Sequence, residues 1–251
     1  MSELPVLSVQ GVCKNFGALN VLQNVSLDLK ANEMVAIIGH SGCGKTTLLR
    51  LICAFEFYDQ GLILLDGARR DRPSKEALML FQSFDQLQPW RTALGNVMYP
   101  LRVAGAAKNR ARELACKRLA DVGLSDFMNA YPHMLSGGMK QRVAMARALA
   151  LTPRVLLMDE PFAALDNITR STLQNLTSRV CGKYGISALL VTHSVEEALI
   201  MGDRIVVMDR NPGRVKAIVE NPCRDISGRR GELKEKIMKL LQETAREKEE
   251  M

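Results

Sequence analysis

The chain has 251 residues, 47% of them apolar, and carries a formal net charge of +7. That length is enough for one large α/β domain with a sizeable core. No apolar run approaches the roughly 18 to 20 residues that cross a bilayer, which argues against a membrane-spanning chain. The opening MSELPVLSVQ lacks the charged start and apolar centre of a signal peptide, so the expected compartment is the cytoplasm. Six cysteines, Cys13, Cys43, Cys53, Cys116, Cys181 and Cys223, form no CxxC pair or metal-ligand spacing, as reduced and mostly buried thiols would.

In chain order, residues 7–12 and 25–29 (VSLDL) read as strands bounded by turn residues. The continuous apolar run MVAII, 34–38, is of the kind found in buried parallel strands. It leads into GHSGCGKTT, made of Gly39, His40, Ser41, Gly42, Cys43, Gly44, Lys45, Thr46 and Thr47, and then into the helical TLLRLICAF. Strand, glycine-rich loop and helix are the order that a phosphate-binding loop requires. Successive loop N–H groups form an anion-binding concavity, Lys45 suits β- and γ-phosphate oxygens, and the Thr46 hydroxyl suits Mg²⁺. Thr47 would bond the α-phosphate region, and the His40 side chain is assigned no chemistry. Cys43 is read as a small filler; if the loop binds nucleotide, a thiol reagent is still expected to block the site and ATP to protect it.

Residues 77–81 form the next expected strand and end beside Gln82, placed to contact metal and attacking water. Only helices are expected over about 83–151, an inserted helical subdomain. Strands resume at 155–158 (VLLM), 188–191 and 205–208, with helical stretches between, the pattern of a mostly parallel sheet covered on both faces. Asp159 and Glu160 follow VLLM at a strand's carboxyl end, where open α/β sheets place ligands. Asp159 suits the Mg²⁺ shell, and Glu160 suits acceptance of a proton from water. His193 lies at another strand end, within reach of a γ-phosphate if its imidazole is neutral. Phe16 can be read equally as a ring stacked on a base or as a core phenylalanine. The final stretch, 231–251, puts Leu233, Ile237, Leu240 and Leu241 on one stripe among Lys and Glu, an amphipathic helix read as packing on its own domain.

Much of the positive excess lies in Arg102, Lys108, Arg110, Arg112, Lys117 and Arg118, set against Glu113, with a smaller group at Arg69, Arg70 and Arg72. No aromatic residues interleave there, so no nucleic-acid partner is expected. A solvated helix face is the first reading, and a surface facing anionic lipid the second.

The octapeptide LSGGMKQR, 135–142, opens a strongly helical run over 139–150. Ser136, Gly137 and Gly138 leave N–H donors uncovered at a helix N-terminus, which suits phosphate. Locally the same residues serve equally well as an ordinary cap and turn, with Ser136 as N-cap.

Taken together, GHSGCGKTT, Gln82, LSGGMKQR, LLMDEPF, AALD at 163–166 and His193 resemble, in order and spacing, the nucleotide-binding subunits of ABC transporters, over about 6–214. The resemblance implies a P-loop NTPase fold: a RecA-like core with a mostly parallel sheet, an antiparallel β subdomain and the helical insertion. The ATP-binding domain would span 1–230, with the C-terminal helix after it. It also implies ATP with Mg²⁺ held by Thr46, Gln82 and Asp159, catalysis by Glu160, His193 and Gln82, adenine stacking by Phe16, and Asp166 in a loop that crosses to a second copy. Ser136, Gly137 and Gly138 would face the γ-phosphate held by that copy, in a head-to-tail pair enclosing two ATP. The pair would drive an integral membrane permease from the cytoplasmic face, and indirectly serve a solute-binding protein.

The stretch FQSFDQLQPWRTALGNVMYPLRVAG and the triplet Pro212, Gly213, Arg214 are similar to importers of the nitrate, sulfonate and taurine type. Asn32 stands where a glycine is usual, Met134 where a Gln is frequent, and Gln60 where a Ser is common. The ATPase of a two-component exporter, or a non-transport ABC ATPase, is the other reading.

Overall fold

A computed structural model describes residues 4–81, 86–222 and 230–246. Two sheets share the work. The first, antiparallel, comprises β1 (Leu7–Phe16), β2 (Leu19–Leu29), β4 (Gln60–Leu65) and β5 (Ala68–Arg69), ordered β2-β1-β4-β5. The second comprises β3 (Met34–Gly39), β6 (Ala77–Leu80), β7 (Val155–Asp159), β8 (Ser187–Val191), β9 (Arg204–Asp209) and β10 (Arg214–Glu220), ordered β10-β9-β3-β8-β7-β6. Every pairing in it is parallel except β10 on β9.

The central strands β3, β7 and β8 are buried along their whole length, which is why their sequences are continuously apolar rather than alternating. Alternate residues still go to opposite faces. Val35, Ile37, Leu189 and Val191 join a core shared with the antiparallel sheet and with α1 (Lys45–Ile52). Ala36 and Ile38 face α6 (Val195–Met201) and α7 (Arg230–Arg246), while Ala188, Leu190, Leu156 and Met158 face α4 (Gly137–Ala150) and α5 (Asn167–Tyr184). Between β6 and β7 the described chain holds α2 (Ala93–Val103), α3 (Lys108–Asp121), two short 3-10 turns and α4.

Strands β4, β5 and β10 escape the sequence reading. Their exposed faces, and the two-residue length of β5, leave little periodic signal. Asn32 explains its own departure from glycine: its backbone is left-handed, φ 62°, a conformation asparagine tolerates better than other side-chain-bearing residues, and its N–H donates to Ser187 Oγ at 2.9 Å.

The basic cluster needs correction. Arg118 is not on a solvated face: it is 5% exposed, ion-pairs with Asp121 at 3.6 Å, donates to the Leu149 carbonyl at 3.0 Å and lies 3.7 Å over the Tyr184 ring. Arg70 is likewise buried. Burial works against ionising Asp121, but bonds from Lys183 and Tyr184 and the nearby Arg118 charge overcome it and hold that carboxyl below the usual range. A depressed carboxyl contributes stability above its unfolded pKa and loses it as pH falls through the folded one. Asp121→Ala should therefore cost about 3 kcal/mol at neutral pH, because it strands a buried guanidinium. The difference from the parent should shrink below about pH 4, as urea unfolding across pH would measure.

Candidate functional site

Parallel strands bring their carboxyl ends to one edge, and that edge collects the chemistry. Asp159, the last residue of β7, pairs in register with Val191, and Val191 with Ile37 of β3. The loop after β3, the acids after β7 and His193 after β8 therefore meet although far apart in sequence.

The loop wraps a hollow of about 250 Å³ lined by Val21, Ser41, Gly42, Gly44, Lys45, Thr46, Thr47 and Glu160. Gly44 precedes α1 with φ 90°, and no side chain caps the helix, so its first N–H groups face the hollow without a side-chain acceptor. The Lys45 ammonium is buried and donates to the carbonyls of Gly39 at 2.8 Å and His40 at 3.0 Å. Among the described residues no carboxylate stands within ion-pair distance of it. A buried cation held only by dipoles calls for an anion, which is what a polyphosphate supplies.

Thr46 Oγ1 donates to Asp159 Oδ1 at 3.0 Å. Burial pushes the Asp159 carboxyl above its ordinary range, with the neighbouring Glu160 charge adding, against the Thr46 bond and the Lys45 and Arg50 charges. Two hard oxygen donors this close fit Mg²⁺. Among the described residues no group of three or more His, Cys, Asp or Glu side chains could hold a metal, so a Mg²⁺ here would draw most of its shell from phosphate and water.

Glu160 has a left-handed backbone, φ 45°, an uncommon state for a residue with a side chain. Its N–H is tied to the Val191 carbonyl at 2.9 Å, and the turn leaves its carboxylate among the residues lining the hollow. The sequence directs His193 at a γ-phosphate; in the structure its Nδ1 lies 3.1 Å from Glu160 Oε2, so base candidate and imidazole form one unit. Gln82 lies outside the described residues.

The remaining expected positions behave differently. Phe16 is not a core residue: it is 46% exposed, with the Lys14 ammonium 4.7 Å over its ring. Ser136 is the N-cap of α4, accepting from Met139 N at 3.3 Å, so the cap reading is realised. No residue of 135–142 lines the phosphate hollow. A Cβ on Gly138 would come within 2.6 Å of Thr169 Cγ2; that glycine is needed where α4 crosses the start of α5. Asp166 caps α5, accepting from Ile168 N at 3.1 Å and Thr169 N at 3.0 Å, and these bonds hold its carboxyl below the ordinary range.

Three supports were invisible in sequence. Gln141, buried in the signature helix, donates to the Pro161 carbonyl at 3.1 Å, joining α4 to the turn after Glu160. Arg147 donates to the Gln86 carbonyl at 2.6 Å. Gly213 of the Pro-Gly-Arg triplet lies beneath the phosphate loop: a Cβ there would meet the Cys43 carbonyl at 2.1 Å and the Val21 carbonyl at 2.9 Å. Backbone bonds between Gly213 and both Val21 and Gln23 lock it in place, and Arg214 donates to Gln23 Oε1.

The geometry has counterparts. Over residues 22–163 the sequence matches the profile of the family described as "ABC transporter". The chain belongs to the ABC transporter family. It is 46% identical over 204 residues to the aliphatic sulfonates import ATP-binding protein of Agrobacterium fabrum, spanning 81% of this chain and 76% of that one. It is 42% identical over 210 residues to the taurine import ATP-binding protein of Yersinia pestis, spanning 84% and 82%. Its structure superposes with TM-score 0.74, at 32% identity, on a dimeric ATP-binding cassette in a post-hydrolysis state bound to ADP and Pi, covering 85% of this chain and 98% of that one. This ABC protein is accordingly an ATPase with a P-loop fold.

Two outcomes follow for this ABC ATPase. Cys43 is fully buried, and desolvation raises its thiol pKa against the Lys45 charge; Cys53 is pushed up to about 12. Cys43 is therefore a buried filler, in line with its sequence reading, and no handle on the loop. In native protein at neutral pH, iodoacetamide should label the half-buried Cys13 and Cys116 before Cys43 or Cys53, as peptide mapping would show. Gly213→Ala should destabilise by about 1 to 3 kcal/mol through overpacking against loop backbone, seen as a lower melting temperature and weaker ATP binding.

Proposed function

We propose that this chain is the ATP-hydrolysing subunit of an importer for small anions, working as a head-to-tail pair on a membrane permease. The observation that carries the reading is the Lys45 ammonium, buried with no carboxylate at ion-pair distance among the described residues, on the loop whose Thr46 bonds Asp159 and whose hollow Glu160, paired with His193, also lines. Lys45 and the loop amides bind the β- and γ-phosphates, and Thr46 and Asp159 hold Mg²⁺, with Gln82 as a further contact. Glu160, oriented by His193, takes the proton of the attacking water. Phe16, exposed at the end of β1 in the antiparallel sheet, stacks on adenine.

The second copy is supported by the exposed Ser136 at the start of α4, outside the phosphate hollow. Its free N–H groups fit a γ-phosphate bound to another subunit, and the similar cassette solved as a dimer is consistent with that pairing. Because contacts across the pair exist only in the closed state, ATP would shift the open and closed populations, and hydrolysis would remove the differential affinity.

The permease is supported by exposed aromatic side chains: Phe55 stacks on Phe81 with centroids 6.4 Å apart, and Trp90 and Tyr99 are exposed as well. Exposed aromatics of this kind fit a partner segment. Among the described residues no helix is long and apolar enough to cross a membrane, so attachment at the cytoplasmic face would run through that permease. Sulfonate and taurine import by the relatives, together with the Pro-Gly-Arg triplet, support anionic cargo, delivered by a solute-binding protein.

Glu160→Gln should retain Mg-ATP binding, lower steady-state hydrolysis about 100-fold or more, and accumulate an ATP-bound dimer on size exclusion. Parental turnover in that variant would overturn the Glu160 assignment. Reconstitution with the neighbouring permease and candidate sulfonates tests the cargo; ATPase activity indifferent to any permease would count against transport.

A further inference from the structure

His40 and the C-terminal helix have no role in the reaction described so far, yet the structure joins them. His40 Nε2 lies 3.0 Å from the carbonyl oxygen of Leu241, 201 residues away. A carbonyl only accepts, so Nε2 carries the proton and the ring donates. The His40 backbone carbonyl in turn accepts from Lys45 Nζ at 3.0 Å. Two hydrogen bonds therefore connect α7 to the ammonium of the phosphate loop, one to each end of a single residue.

The helix that supplies this acceptor is firmly seated. Ile237 is fully buried in a cluster with Ile38, Val195, Leu199 and Val207. Ile38 directly precedes the phosphate loop, and Val195 lies two residues beyond His193. Polar tethers hold the rim: Lys216 of β10 donates to the Leu240 carbonyl at 3.1 Å, and Lys234 pairs with Glu196 of α6 at 2.7 Å. One helix thus rests on the strand that feeds the phosphate loop and on the helix that follows His193.

We propose that His40 is a positioning residue for ATP binding and that docked α7 is the anchor through which it acts. The imidazole fixes the second residue of the loop from outside, so the loop N–H groups are already arranged before nucleotide arrives. Lys45 can leave the His40 carbonyl for a phosphate without the loop losing its shape. Preorganisation of this kind raises affinity by removing an ordering cost and leaves the chemical step alone. The inference rests on the reading of residues 39–47 as the ATP-binding loop.

The test uses the full chain, a fluorescent ATP analogue with Mg²⁺, and steady-state ATPase kinetics. His40→Ala should raise Kd and KM about fivefold, the loss of one hydrogen bond, with kcat unchanged. His40→Gln, whose amide nitrogen can still donate to Leu241, should restore parental affinity. Ile237→Asp, which expels α7 by burying a charge, should reproduce the His40→Ala loss, and the double variant should lose no more than either alone. If Ile237→Asp lowers the melting temperature of the whole chain, the double substitution Lys216→Ala with Lys234→Ala, which removes only the rim tethers, replaces it. Equal losses in the Ala and Gln variants, additive losses in the double variant, or parental affinity with α7 undocked would each overturn the proposal. Lys45→Ala is the separate control: retention of ATP binding there would overturn the reading of the loop itself.

Discussion

A lysine ammonium buried among carbonyl oxygens sets the terms for the rest of this structure. Lys45 has left water and is held by the Gly39 and His40 carbonyls and, more weakly, by the Cys43 sulfur at 3.8 Å. Dipoles alone match a buried charge poorly, so the site is built to be completed by an anion from outside the chain. The surrounding features serve that need. Burial raises the Cys43 thiol and keeps it from competing as a thiolate, the uncapped start of α1 adds partial positive charge, and Asp159 is engaged by the Thr46 hydroxyl rather than by the lysine.

Holding a loop in that state requires support from several directions, and the fold supplies it with backbone contacts more than with side-chain chemistry. Gly213 presses on the Cys43 carbonyl from below, β2 lies alongside through Val21 and Leu22, and α7 reaches His40 from the far end of the chain. On the other side of the sheet, buried and half-buried side chains couple the turn after Glu160 to its neighbours. Gln141 ties α4 to Pro161. Arg170 ties the Leu165 carbonyl, at 2.8 Å, to Glu197, at 3.6 Å, and Glu197 accepts from Thr192 at 2.6 Å, next to His193. Fully bonded networks of this kind make a local arrangement stiff, so a change at the hollow moves elements rather than single side chains. That stiffness is what a pair of such subunits would need if ATP is to be felt by a permease.

Several residues of the expected site have a structural role in the single chain. Ser136 caps α4 and stands at the end of that helix where N–H donors are uncovered; Gly138 lets α4 approach α5; Asp166 caps α5. Each has a sufficient reason within one chain, which is why the local chemistry of LSGGMKQR left the cap and the phosphate readings level. The structure realises the cap; the phosphate reading belongs to the proposed pair.

The sequence by itself determined the elements whose signal is local: the apolar strand, glycine loop and helix around 34–52, the acids closing VLLM, the cap at Ser136, and the amphipathic stripe of the last helix. These are readable because burial on both faces, turn geometry and helical period are written within a few neighbouring residues. The tertiary structure alone decided that His193 bonds Glu160 rather than standing free, that Glu160 turns through a left-handed backbone, that Arg118 is buried against Tyr184, and that β4 joins β1 while β5 and β10 close sheet edges. It also decided that Gly213 sits beneath Cys43 and that Leu241 meets His40. For the side-chain contacts the partner is tens to hundreds of residues away, and what matters is a distance of a few ångströms across packed elements, for which a linear sequence carries no period; the edge strands pair closer in sequence but are too short or too exposed to show one.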